Sequence, residues 1–180
     1  MAGNQLLAIS YQLLDMKDRE TLLAHFETLL PLAAAWAAQE EERVLREGVS
    51  LSQLEIADAR AIGVLHPERV RLLRVEEVPV PSHPQLRAAA ETIHFLSPET
   101  RGLTLQHGIF VRWDCWGDRA LVAHELVHTE QYERLGGILP FLQRYLQECL
   151  TIGYANAPME LEAVAVAAGV LKGKRIDDGG

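Results

Sequence analysis

The segment from Asp118 to Gly137 constrains the fold of this chain more than any other part of the sequence. Asp118 is a residue type that caps helix N-termini, and the two glycines at 136–137 are typical of a helix end. Between them, apolar residues flank a His-Glu-x-x-His run. We therefore predict a buried helix over about residues 118–135 that carries two histidines on one face, since residues four apart lie one above the other.

The run His124-Glu125-Leu126-Val127-His128 has the spacing of a metal site on a helix. Two imidazoles held in this way can bind one tetrahedral ion, and zinc prefers nitrogen ligands. Glu125 lies about 100° round the helix from His124, where it can accept a proton from a metal-activated water without being a ligand. The alternative is a pair of surface histidines, which the apolar flanks disfavour because a buried histidine needs a polar partner. The run therefore predicts Zn2+ bound by His124 and His128.

A catalytic zinc site normally has three protein ligands, so a third is expected elsewhere in the chain. The metzincin class is excluded, because Gln131 and Arg134 stand where that class requires Gly and His. All other histidines precede the motif, which leaves the acids that follow it. Glu160 and Glu162 open a helix predicted to begin at Pro158. They lie about 200° apart around its axis, so only one of them can face the metal.

Glu160 is the expected third ligand because its side of the helix is the more convincing core-facing stripe. That stripe also contains Val164, Ala167 and Leu171. Glu162 is the reserve candidate. The alternative for both acids is that they only stabilise the positive N-terminal end of the helix.

The first third of the chain is predicted to be helical. Apolar residues recur at helical spacing up to about Gly48, with Pro31 expected to break or kink the region. The charged run at 40–43 is expected to be a solvated turn. Ser52 and Glu55 fit a capping box for a short helix that ends near residue 63.

The remainder alternates between strands and helices. We predict a strand over 70–80, a helix over 84–95, and a strand or tight hairpin over 103–113. Further helices are predicted over 139–151 and 158–171. The fold class is therefore α+β and mainly α, with a small β element and an N-terminal helical region. We divide the chain into the N-terminal helical region, residues 1–63, and a core, residues 64–180, that together form one compact unit.

Composition limits the partners. The formal net charge is −8, which argues against a general nucleic-acid binder, and there is no basic amphipathic helix for a membrane surface. The N-terminus lacks the features of a signal peptide, and no apolar run approaches the roughly 20 residues of a transmembrane helix. We expect a cytoplasmic protein with Cys115 and Cys149 as reduced thiols rather than a disulfide, although export by a signal-less route would look identical.

The motif, together with Arg144-Tyr145, Gly153-Tyr154 and the run Pro158-Met159-Glu160-Leu161-Glu162-Ala163, resembles short gluzincin-type zinc metallopeptidases. It is most similar to an uncharacterised bacterial domain found in contractile-injection-system proteins. The resemblance covers roughly residues 98–168 and implies that the core, residues 64–180, is a minimal zincin-like metallopeptidase core with Glu160 as the third ligand. It also implies that the strand 103–111 borders the active-site cleft. Many gluzincins have Asp four residues after this Glu. This chain has Val164, so support for a ligand histidine would come from elsewhere.

Three further residues are candidates for roles at the site. Tyr154 lies between the two ligand helices and is our candidate to hydrogen-bond a developing oxyanion, the alternative being a packing residue. Gln131 lies near the His128 face and can hold a ligand or a water, or be an ordinary surface amide. His107 is expected to be a turn residue, with a transition-state role as the alternative.

The first functional hypothesis is a zinc metallopeptidase that hydrolyses a peptide or protein substrate with Glu125 as general base. A peptide could pair with the free edge of the 103–111 strand. The second is a non-catalytic zinc protein, in which the metal is structural and the helical region binds a protein partner. A third is a regulatory peptidase that cleaves one specific partner. The sequence does not specify the oligomeric state.

Overall fold

In the computed structural model, residues 16–92 and 96–173 are described. This part of the chain contains six α-helices: α1 (Met16–Glu47), α2 (Gln53–Ile62), α3 (Pro84–Thr92), α4 (Arg119–Leu135), α5 (Ile138–Ile152) and α6 (Pro158–Gly173). A four-stranded sheet packs among them. The α+β, mainly α fold class is confirmed.

Local signals set most helix ends. Ser52 and Glu55 form the predicted capping box at the start of α2, and Gly63 ends that helix in the left-handed conformation. Asp118 accepts hydrogen bonds from two backbone amides at the start of α4, and Gly136 ends α4 with a φ of 94°. The predicted bounds of α4, α5 and α6 are therefore confirmed to within one or two residues.

The sheet has the order β1-β2-β4-β3 and consists of β1 (Val49–Ser50), β2 (Arg71–Val75), β3 (Gly102–Leu105) and β4 (Gly108–Arg112). The pair β2 and β4 is parallel, whereas β3 and β4 are antiparallel. The 103–113 segment is thus the tight hairpin rather than a single strand. The predicted strand 70–80 ends early, at Val75. Strand β3 forms one edge of the sheet, because among the described strands it pairs only with β4.

Helix α1 packs along both the sheet and α5. Its close approach to the sheet depends on Gly108, because a Cβ there would lie 2.9 Å from the Cβ of Val44. Pro31 lies inside α1 and does not end it, which corrects the expectation of a break there. The charged run 40–43 is helical rather than a turn. Glu41 is buried, and its carboxylate accepts a hydrogen bond from the backbone amide of His107.

Helix α6 packs against α4 through small residues. Ala163 and Ala167 form a buried cluster with Ala123 and Val127 of α4, which lets the two helices approach closely. Glu160 and Ala167 are buried as predicted, but Val164 is 58% exposed. The buried side of α6 therefore runs through Ala163 instead, since alanine fits the narrow interface where valine does not.

Two remaining expectations concern thiols and membranes. Cys115 and Cys149 are both buried free thiols, as predicted. Within residues 16–92 and 96–173, none of the helices combines the length and apolar character needed to cross a membrane. The predicted helix 84–95 is observed up to Thr92, and its last three residues lie outside the described part of the chain.

Candidate metal centre and cleft

Helices α4 and α6 bring the three predicted metal ligands together. Nε2 of His124 and Nε2 of His128 lie 3.1 Å apart. The carboxylate of Glu160 lies 3.4 Å from His124 Nε2 and 3.2 Å from His128 Nε2. Within the described part of the chain, these residues form a group of potential ligands whose donor atoms all lie within 4.8 Å of one another.

The triangle of ligand side chains has a spacing close to that of a zinc site. Ligand bonds of about 2.0–2.1 Å in tetrahedral geometry place neighbouring donor atoms about 3.3–3.4 Å apart. The observed separations span 3.1 to 3.4 Å, with Oε2 of Glu160 next to His124 and Oε1 next to His128. Two imidazoles and one carboxylate are also a donor set that zinc accepts at catalytic sites, with a fourth position left for water or substrate. The residues present therefore fit zinc.

Gln131 holds His128 in position. Its Nε2 donates to the backbone oxygen of Met159 and to Glu162, which fixes the orientation of the amide and turns Oε1 toward the histidine. Nδ1–H of His128 then donates to Oε1 across 2.9 Å. Gln131 thus supplies the support that Val164 cannot, and leaves Nε2 of the histidine for the metal.

Glu162, the reserve ligand, is not part of the donor triangle. Its carboxylate accepts hydrogen bonds from Gln131 and from Arg134, on the side of α6 that faces the C-terminal half of α4. Its contribution is indirect, since it orients the amide that in turn orients His128.

Two tyrosines contact the third ligand. The hydroxyl of Tyr145 donates to Oε1 of Glu160 across 2.6 Å. Tyr154 is half-buried and also interacts with Glu160. Burial, followed by the charge of Glu160, raises the pKa of both phenols far above their usual value. Both therefore keep their protons and act as hydrogen-bond donors.

The charges of the site are coupled. Burial alone would lower the pKa of His128, but hydrogen bonding to Glu160 and the negative charge there outweigh it and raise the pKa to about 9. Burial would raise the pKa of Glu160, but hydrogen bonds with the two histidines and Tyr145 hold it below its usual range. In this arrangement Glu160 is a carboxylate, and a proton on His128 competes with a metal ion for the same nitrogen.

Glu125 lies beside the triangle and is held by the sheet. It is buried, and the hydroxyl of Thr104 donates to its Oε2 across 2.6 Å. Gly102 leaves the space for the carboxylate, because a Cβ at that position would lie 2.5 Å from Oε1. Edge strand β3 therefore positions the predicted general base.

The three candidate ligands, Glu125, Thr104 and the two tyrosines line one cavity of about 360 Å³. The polar end contains His124, His128, Glu125 and Glu160, while most of the remaining wall is apolar. The predicted site residues, including Tyr154, thus share a single cleft.

His107 belongs to a different network. It lies in the turn between β3 and β4, and its Nε2 is 3.0 Å from Oε1 of Glu133. Its backbone amide donates to Glu41. His107 is not among the residues that line the cavity, so its observed contacts agree with the expected turn residue.

Sequence reasoning did not assign roles to Tyr145, Thr104 and Gly102. Tyr145 lies in the buried stripe of α5 with Phe141 and Cys149, where a phenol needs an acceptor. Gly102 in a strand is a sign of close approach by another group. Thr104 carries no comparable signal, because threonine is common in strands.

Comparison of the chain with protein-family models, curated proteins and solved structures finds no match. The resemblance to gluzincin-type metallopeptidases therefore stays a prediction, and the functional argument depends on the geometry of the site.

Proposed function

We propose that this protein is a zinc-dependent metallopeptidase of the gluzincin type. The observation that carries the proposal is the triangle of donor atoms from His124, His128 and Glu160, with Glu125 beside it in the same cleft. A structural zinc site is closed by protein ligands, whereas a catalytic site keeps one position open. Three ligands at the end of an accessible cavity match the catalytic arrangement.

Zinc bound by these residues would polarise a substrate carbonyl and lower the pKa of water toward about 7. Glu125 accepts the proton of the attacking water and passes it to the nitrogen of the leaving amine as the C–N bond breaks. Thr104 holds that carboxylate during both transfers. Tyr154, which keeps its phenolic proton, is our candidate donor to the carbonyl oxygen as negative charge develops on it.

Strand β3 offers a place for the backbone of the substrate. Arg112 N–H donates to the oxygen of Arg101, which makes this pair hydrogen-bonded. Pairs alternate along an antiparallel ladder, so Gly102 and Thr104 direct their backbone groups to the outer edge. The oxygen of Thr104 accepts from Tyr132. Gly102 lines the cavity, and its backbone N–H and C=O are available to pair with an extended peptide.

The test combines metal content with hydrolysis. Elemental analysis of the purified protein is expected to give about one zinc per chain, lost in Glu160→Ala and kept in the matched variant Glu162→Ala. A mixture of quenched fluorescent peptides should be cleaved by the wild type, and Glu125→Gln should reduce the rate by about 10²–10⁴-fold while zinc is retained.

Each failure has a separate meaning. Absence of zinc after reconstitution would refute the metal site altogether. Cleavage unaffected by Glu125→Gln would refute the mechanism. Zinc without cleavage would refute a general peptidase and leave a structural metal with a partner-binding helical region, or a peptidase that cleaves one specific partner.

We place the protein in the cytoplasm. The support is that Cys115 and Cys149 are both unpaired thiols, which is the usual state in a reducing compartment. Fractionation of cells that produce the protein checks this assignment.

A further inference from the structure

The cavity continues well past the metal ligands. Beyond the polar end, its walls come from α1, α3 and α5, and we call this part the apolar chamber. It is lined by Phe26, Leu30, Trp36, Leu86 and Leu146. Trp36 and Phe26 come from the N-terminal helix, so α1 forms a wall of the cleft.

Apart from the candidate metal ligands and Glu125, the charged residues that line the cavity are Glu99 and Arg101. Arg101 is the one lysine or arginine among the described residues that line the cavity. Its guanidinium is bound by Asp118 across 2.8 Å and by the sulfur of Cys115 across 3.1 Å. The lining therefore provides no unpaired cation for a free carboxylate, and an uncharged occupant is favoured.

We propose that the apolar chamber is the specificity pocket of the site and takes one or two bulky apolar side chains, such as Leu or Phe, from an internal segment of a peptide. This inference depends on the proposed function for the bond that is cleaved, but the binding itself requires only the chamber. The whole cavity, of which the apolar chamber is a part, has a volume of about 360 Å³, which lies in the range of ligand pockets.

A peptide is favoured over a fatty acyl chain for two reasons. The outward backbone groups of Gly102 lie on the wall of the same cavity, and they match the amide groups of an extended peptide. A fatty acid carries a carboxylate, and Arg101 is already paired with the carboxylate of Asp118. An internal peptide segment avoids both a terminal charge and an unpaired backbone.

Trp36 provides a direct reporter. The sequence contains three tryptophans, and Trp113 and Trp116 are exposed outside the cavity. In the double variant Trp113→Phe, Trp116→Phe, the emission comes from Trp36 alone. The metal-free double variant is titrated with N-acetyl-Leu-Phe-amide, N-acetyl-Ser-Asn-amide and sodium decanoate. The apolar peptide should shift the emission in a saturable way and bind roughly ten- to hundredfold more tightly than the polar one.

Cavity-filling variants test the location. Ala33 lines the chamber from α1 and Ala90 lines it from α3, whereas Ala35 is exposed on the opposite side of α1. Ala33→Phe should weaken binding of the apolar peptide about tenfold or more, and Ala35→Phe should leave it unchanged. Ala90→Phe repeats the test from the other wall, so that poor folding of one variant does not decide the result.

The outcomes separate this inference from the proposed function. Selective binding of the apolar peptide that Ala33→Phe or Ala90→Phe removes supports the chamber, even if no peptide is ever cleaved. Equal binding of both peptides, no binding at millimolar concentration, or tighter binding of decanoate overturns it, even if zinc-dependent cleavage is observed.

Discussion

Gly102 and Glu125 are in such close contact that the missing side chain of the glycine is the space the carboxylate occupies. A Cβ on Gly102 would lie 2.5 Å from Oε1 and 2.9 Å from the carboxyl carbon of Glu125. The neighbour is the far end of a flexible side chain, so it can move rather than force the backbone apart. Position 102 therefore controls where the proposed base lies more than it controls the stability of the fold.

The first prediction is that Gly102→Ala displaces the base. The added methyl group should move the carboxylate away from Thr104, because the two cannot share the space. We expect hydrolysis to fall by about 10²-fold or more, as for loss of a general base, while zinc content stays at the wild-type value. Peptide cleavage and elemental analysis of the same preparation measure both.

Gly169→Ala is the matched control for this change. Gly169 is exposed in α6, and a Cβ there meets nothing within 4 Å. Hydrolysis should be unchanged in this control, and the helix should become slightly more stable because alanine is the better helix former. A Gly102→Ala protein with full activity would show that the position of Glu125 does not determine the rate.

The second prediction concerns Gln131. Replacing it with Met removes the acceptor of His128 Nδ1–H and keeps a side chain of similar length. Zinc affinity should fall about 10- to 100-fold, as is typical for loss of a group that orients a ligand histidine. Competition with a zinc-binding dye measures the change. The control is Gln147→Met at an exposed position of α5. This variant should bind zinc like the wild type. Equal affinities for the two variants would contradict the orienting role.

Local signals explain what the sequence predicted well. Asp118 and Gly136 bound α4 through hydrogen bonds made within a few residues, and the four-residue spacing of His124 and His128 is a property of the helix itself. Glu160 also lies where predicted, at the donor triangle. The ends of α4 and the histidine spacing depend little on distant parts of the chain, so the local pattern was sufficient for them, whereas Glu160 was chosen from the apolar stripe of its own helix.

Long-range contacts explain what it missed. Glu41 lies in a run of charges that looks solvated, yet a hairpin turn 66 residues later buries it. The stripe chosen for α6 included Val164, because hydrophobicity alone does not reveal that the buried positions in the interface with α4 are Ala163 and Ala167. Each of these depends on which element packs against which, information that periodicity does not contain.

The third prediction tests the network around His107. His107→Ala removes a buried partner of Glu133 and of Glu41. Burial already raises the pKa of Glu41. The free energy of unfolding should fall by about 1–3 kcal/mol, since buried carboxylates lose hydrogen bonding. Zinc affinity should not change. Denaturant unfolding measures the first and dye competition the second. The exposed His83→Ala is the control. A loss of hydrolysis without a loss of stability would instead support the alternative, a transition-state role for His107.

The fourth prediction is the pH dependence of zinc affinity. The pKa of His128 in the metal-free protein is raised to about 9, so below that pH a proton occupies the nitrogen that zinc needs. Zinc binding must release this proton, and the affinity should rise about tenfold per pH unit between pH 7 and 9 and level off above. Calorimetry at pH 7.5 in buffers of different ionisation enthalpy should detect the release of about one proton per zinc.

Glu160→Gln provides the sharpest check on the sign of this effect. The raised pKa of His128 is due mainly to the Glu160 carboxylate, and burial acts in the opposite direction. Without that charge His128 should be neutral at pH 7. Zinc then binds more weakly because one ligand is weakened, and its affinity should depend on pH less steeply than in the wild type between pH 7 and 9. An unchanged slope in this variant would mean that the Glu160 carboxylate is not the cause of the proton release.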